Sequence, residues 1–123
     1  DLKSSALDKL NSALLKGDVA YLRGRDLPES WIKSVVEGNS QYRMNYGNIL
    51  ERMLAQDIQL DPLLRQYVDY TSNIATYGLN RKPDFWIKTG TSTIPVDLTT
   101  SRQRARHYNR VENSLVLTYP GAP

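Results

Sequence analysis

The stretch Lys82-Pro-Asp-Phe-Trp-Ile-Lys-Thr-Gly-Thr-Ser-Thr-Ile-Pro-Val-Asp-Leu-Thr-Thr100 decides how this chain is read. Phe85 and Ile87 alternate with Asp84 and Trp86, and Val96 and Leu98 alternate with Asp97 and Thr99. Alternation with a period of two is the signature of a strand, whose successive side chains point to opposite faces. Between the two runs, Thr89-Gly90-Thr91-Ser92 supplies a turn in which Gly90 is free to take a positive φ. The stretch therefore predicts a hairpin. With Val96 and Leu98 toward a core, Asp97 and Thr99 share the other face, and Asp84 comes close to them. Two carboxylates held together are costly unless a positive charge sits between them. A divalent metal with oxygen ligands is one answer. An arginine or lysine is the other, and acidic residues on hairpins are most often simply solvated.

Upstream of the hairpin the patterning turns helical. Over Asp1 to Lys16, Leu7, Leu10 and Leu14 recur at helical spacing with Ala6 and Ala13 beside them, up to Gly17, a C-terminal stop. Val19 to Leu22 is a short apolar run that suits a small strand or a loop. Asp26 or Ser30 can cap a helix that holds Pro28 in its first turn, buries Trp31, Ile32, Val35 and Val36, and stops at Gly38. A second helix runs from about Ser40 to Gln56, with Tyr42, Tyr46, Ile49, Leu50, Met53 and Leu54 on one broad side and Glu51 beside them. A lone helical Glu is ordinarily solvated or paired with Lys or Arg. Ile58 to Pro62 breaks that helix, Leu63 to Tyr70 again reads as helical though Asp61-Pro62 could equally open a loop, and Ile74 to Tyr77 suits a short strand.

Downstream, Ser101 is a fair N-cap for a helix over Arg102 to Arg110, on which Arg102, Arg106 and Arg110 fall on one face. Ser114 to Tyr119 reads as a last strand. The order is helices, then strand, strand, helix, strand: an α/β chain, in layout α+β.

A chain of 123 residues makes one domain with one core. It is divided here into a helical N-terminal part, 1–40, and a core, 41–123. It has no run of 18 apolar residues and no secretory leader, and the absence of a starting Met suggests a piece of a longer protein. Without Cys there is no disulfide, thiolate zinc site or thiol nucleophile. The single histidine, His107, rules out a multi-His metal site. The net charge of +3 is uneven: from Arg81 onward there are seven basic and three acidic residues, a net +4, against about −1 before it. A basic segment beside an acidic cluster suits a polyanionic partner, and equally a merely soluble basic protein.

A helix with a Glu, a Pro-Asp that opens a strand, a turn, an Asp-x-Thr strand, a basic helix and a final strand together resemble the PD-(D/E)xK nuclease superfamily. The chain is more closely similar to the nuclease toxin domains at the C-termini of bacterial contact-dependent growth inhibition and related polymorphic toxins. The matching residues are Pro83-Asp84-Phe85, Val96-Asp97-Leu98-Thr99-Thr100 and, in the next helix, Gln103. The resemblance covers roughly Gly47 to Tyr119.

The resemblance implies a restriction-endonuclease-like mixed sheet with flanking helices. It also implies that Asp84 and Asp97 bind a divalent metal such as Mg2+, with Glu51 joining directly or through water. Thr99 would hydrogen-bond water or phosphate, and Lys88, Arg102, Arg106 and His107 would contact the substrate. Thr99 stands where the family most often has a lysine, so the charge would have to come from Lys88 or Arg106; if neither supplies it, a lone metal or the substrate phosphate would have to activate the water. The implied substrate is RNA, specifically tRNA. The implied partner is an acidic immunity protein. The domain itself is expected to be monomeric. It would be released from a larger secreted or cell-surface toxin to act in the cytoplasm of a target cell. Three other readings stay open: a DNase of the same fold, a metal-free ribonuclease with His107 as base and Arg106 stabilising the phosphorane, and a non-catalytic nucleic-acid-binding domain.

Overall fold

Asp1 starts the chain by capping a helix, its Oδ1 accepting from the Ser4 amide at 2.7 Å. A computed structural model describes residues 1–70, 85–100 and 115–122. The helix, α1 (Leu2–Lys16), buries Ala6, Leu10 and Ala13, while Leu7 and Leu14 are half-buried. The contact line thus centres on Leu10 with Ala6 and Ala13 beside it, and Leu7 and Leu14 lie at its margins. Gly17, at φ 65°, ends the helix in the left-handed conformation expected of it.

The run at Val19 is a helix, α2 (Val19–Gly24), where a strand or loop was anticipated. Asp18 decides this locally, since its side chain accepts from the Tyr21 amide at 3.0 Å and so nucleates a turn that four apolar residues alone do not specify. Helix α3 (Glu29–Glu37) has Pro28 as its N-cap and no side-chain cap bond. Neither Asp26 nor Ser30 caps it, and Asp26 instead takes a positive φ of 58°. Gly38 closes α3 as foreseen. Ile32 and Val35 are buried, but Val36 is exposed and Trp31 half-buried, with the Arg52 guanidinium 5.4 Å from its ring centroid. Helix α4 (Tyr42–Leu60) passes beyond the anticipated end at Gln56 and buries Tyr46, Ile49, Leu50, Met53 and Leu54.

The chain forms two compact units, one of residues 1–57 with 121–123 and one of residues 58–120. Within the first, polar ties join the helices: the Tyr46 hydroxyl donates to Asn11 Oδ1 at 2.6 Å, and Asn45 Nδ2 donates to Ser34 Oγ at 2.8 Å. Arg25 Nη2 bonds both the Met53 carbonyl and Asp57, and Gln56 Nε2 donates to the Arg25 carbonyl.

In the second unit, Asp61 Oδ1 accepts from the amides of Leu63 and Leu64 and opens the one-turn helix α5 (Leu64–Tyr67). The helix expected to reach Tyr70 gives way at Val68 to strand β1 (Val68–Tyr70). Strands β2 (Phe85–Thr89), β3 (Ser92–Thr100) and β4 (Leu115–Tyr119) complete a four-stranded sheet in the order β1-β2-β3-β4. The first two pairings are antiparallel and β3–β4 is parallel. The architecture is therefore α+β, N-terminal helices followed by a mixed sheet, as the patterning predicted. A parallel pair needs a crossover. Residues 101–114, which link β3 to β4 and over which the Arg102–Arg110 helix is anticipated, lie outside the described residues, as does the anticipated Ile74–Tyr77 strand. No helix among the described residues is long and apolar enough to cross a membrane.

Candidate active site on the sheet

The hairpin closes through Gly90 and Thr91, with Thr89 paired to Ser92. Gly90 has φ 52° at the first of the two loop positions, a positive value that glycine takes freely. That turn fixes the register: Phe85 pairs with Val96, Trp86 with Pro95, Ile87 with Ile94, and Lys88 with Thr93. On the other side Asp97 lies beside Val116 and Thr99 beside Thr118.

Paired residues share a face and neighbours along a strand alternate. One face therefore carries Asp69, Trp86, Lys88, Thr93, Pro95, Asp97, Thr99, Val116 and Thr118, with Trp86, Pro95 and Val116 buried around Asp97. The other carries Phe85, Val96, Leu98 and Tyr119, all buried. Asp97 and Thr99 thus share a face, opposite Val96 and Leu98, as the alternation foresaw, with Cα atoms about 7 Å apart along the strand. β3 is covered on both sides, and Asp97 and Thr99 are each only 3% exposed. A carboxylate is stable in such a place only in polar or charged company, and Asp97 does not stand alone.

Lys88 belongs to the same face at the hairpin end. It is opposite Thr93, four residues or roughly 13 Å along β3 from Asp97. Its ammonium lies 3.3 Å from Asp69 Oδ1. Asp69 had not been singled out from the sequence, because Leu63 to Tyr70 was read as a helix. The available signal was the alternation of Val68, Asp69 and Tyr70, too short to stand against the helical pattern before it.

Glu51 is on α4 in the first compact unit, half-buried beside the buried Leu50. Asp84, the residue before β2, and Arg102, Gln103, Arg106 and His107 lie outside the described residues. Among the described residues no three His, Cys, Asp or Glu side chains gather as a metal-holding group. Asp97 and Thr99 offer only oxygen donors, which is the kind of donor a hard cation such as Mg2+ takes. Compared with known proteins, the chain matches no family model, no curated protein and no solved structure.

Proposed function

We propose that this chain is a nuclease toxin domain of the PD-(D/E)xK type that cleaves phosphodiester bonds in RNA, with tRNA as its substrate. The observation that carries the reading is the frame around Asp97. Asp97 and Thr99 lie buried on one face of the inner strand β3, and the neighbouring strand β2 begins directly after Asp84 with Phe85 paired to Val96. The acids of the Pro-Asp and Asp-x-Thr motifs therefore flank one cross-strand pair in sequence. The parallel β3–β4 pairing supports the same reading, since it orders the elements as hairpin, crossover and strand.

In this reading Asp84 and Asp97 hold a divalent cation, which when bound stabilises the negative charge that develops on the phosphate. The Thr99 hydroxyl donates to a phosphate oxygen or to the attacking water. Lys88, Arg102 and Arg106 bind the phosphate backbone, and His107 contacts the substrate. The domain reaches neighbouring bacteria as part of a larger secreted or cell-surface protein, acts in their cytoplasm, and is neutralised in its maker by an acidic immunity protein.

The test is cleavage of tRNA, and of RNA and DNA oligonucleotides, with Mg2+ or with EDTA. The expected result is cutting of tRNA to 5′-phosphate ends, lost in EDTA and reduced at least about 100-fold by Asp84→Asn or Asp97→Asn. Glu51→Gln extends the test to the acid on α4. Cyclic phosphate ends that persist in EDTA would instead assign the chemistry to a metal-free route through His107. An inert wild type on every substrate would leave a binding domain.

A further inference from the structure

Lys88 is the only lysine or arginine in the strands of the described residues, and the register puts it on the face of Asp97 and Thr99. It does not point along β3 toward them. Asp69 pairs with Trp86, two residues from Lys88, and the Lys88 ammonium reaches back across the β1–β2 ladder to within 3.3 Å of Asp69 Oδ1. The two side chains are 42% and 36% exposed. Such a pair is a weak tie that holds one arrangement over the alternatives by about fivefold or less.

We infer that Asp69 is a positioning residue for Lys88, keeping its ammonium toward β1 until a phosphate of a bound polyanion takes it over. The inference rests on the nucleic-acid reading above. A phosphate that captures Lys88 leaves the Asp69 carboxylate without its cation. Asp69 then collects a counterion from solution, which cancels the one that the phosphate releases. In the native protein the Lys88 contact thus adds little to affinity and little to salt dependence. Asp69 therefore limits how firmly the sheet grips a strand.

The experiment measures binding of a fluorescent single-stranded RNA oligonucleotide by anisotropy across a salt series, in EDTA so that cleavage does not enter. Asp69→Asn should bind about two- to fivefold more tightly at low salt. Its log–log salt slope should steepen by up to about 0.7, the value of one phosphate contact on a single strand. Asp69→Glu, which keeps the charge, should behave as wild type. In a Lys88→Met background, Asp69→Asn should have no effect. Since both side chains are exposed, all five proteins, wild type included, should melt within a few degrees of one another.

A gain that persists in the Lys88→Met background would overturn the inference, because removal of a negative charge would then act on the polyanion directly. An absent gain in Asp69→Asn would overturn it as well. If the wild type binds no oligonucleotide at any salt, the nucleic-acid reading itself falls. If it binds and the Lys88 dependence is missing, only the role of Asp69 does.

Discussion

Asp97 sits at 3% exposure between Val96 and Leu98, so the substitution chosen to probe it matters more than it would on a surface. Asn keeps the shape and one acceptor oxygen while removing the charge. Ala also removes buried volume and leaves whatever faced the carboxylate unsatisfied, which costs about 1–3 kcal/mol. Asp97→Asn is therefore expected to abolish cleavage with the thermal midpoint nearly unchanged, whereas Asp97→Ala should lose activity and melt earlier. An Asp97→Asn protein that unfolds would make the carboxylate a structural anchor. A different residue pair contributes to acid sensitivity. Arg23 and Glu29 meet through two hydrogen bonds, of 2.9 and 2.6 Å, on an exposed surface. The hydrogen bond from Arg23 holds the Glu29 carboxyl below its ordinary value, and Glu29 raises the arginine in turn. A depressed carboxylate contributes stability that is present above its unfolded pKa, roughly 4.3, and is lost as pH falls through the lower folded value. Wild type should therefore lose more of its thermal midpoint than Glu29→Gln between pH 5 and pH 3. Parallel curves for the two proteins would show that water screens the pair completely.

The hairpin is the element on which the site depends, and Gly90 is where it can be tested. Its φ of 52° suits glycine, and a Cβ built there meets nothing within 4 Å. The cost of Gly90→Ala is therefore backbone strain alone, about 1–2 kcal/mol, with no clash to relieve. Gly90→Asn should cost less, because asparagine enters the left-handed region more readily. Equilibrium urea unfolding should rank glycine above asparagine above alanine, and an equal stability for all three would mean that the turn relaxes. This hairpin was legible in the sequence because its cues agree: period-two alternation, a glycine in the turn, and apolar residues on one face. Asp97 and Thr99 on a common face followed from the same alternation. Their burial did not, since it depends on what covers β3 and not on β3 itself. Elements without reinforcing cues were misread. The four apolar residues from Val19 to Leu22 fit either class until the Asp18 cap is known. β1 has three residues, and α5 before it has four, so no window was long enough to reveal the change of period. Asp69 stayed hidden for that reason. The two half-turns of pattern around Val36 and Trp31 also failed, because the buried stripe of α3 is narrower than its apolar composition.

For the whole molecule the governing quantity is the placement of charge. Residues from Arg81 onward carry +4 while the rest carry about −1, and Arg102, Arg106 and Arg110 recur at intervals of four. If the proposed reading as a nuclease toxin holds, the chain must be silenced in the cell that makes it, and the charge of this segment suggests how an inhibitor would gain access. Arginines suited to a phosphate backbone are equally suited to carboxylates, which they bind in the same bidentate manner. An acidic protein surface can therefore occupy the ground of the substrate without distorting the fold, and opposite charge speeds the encounter. The expected partner is acidic, covers Arg102 and Arg106, and obstructs approach to Asp84 and Asp97. Three outcomes belong together if this is right. The partner and a tRNA substrate should compete for one site. Arg102→Ala with Arg106→Ala should slow association with both, more at low salt than at high salt. Chemical modification of Arg102 and Arg106 should be blocked in the complex. An inhibitor that silences cleavage while leaving both arginines open to modification would bind elsewhere, and the helical residues 1–57 would then be the surface to map.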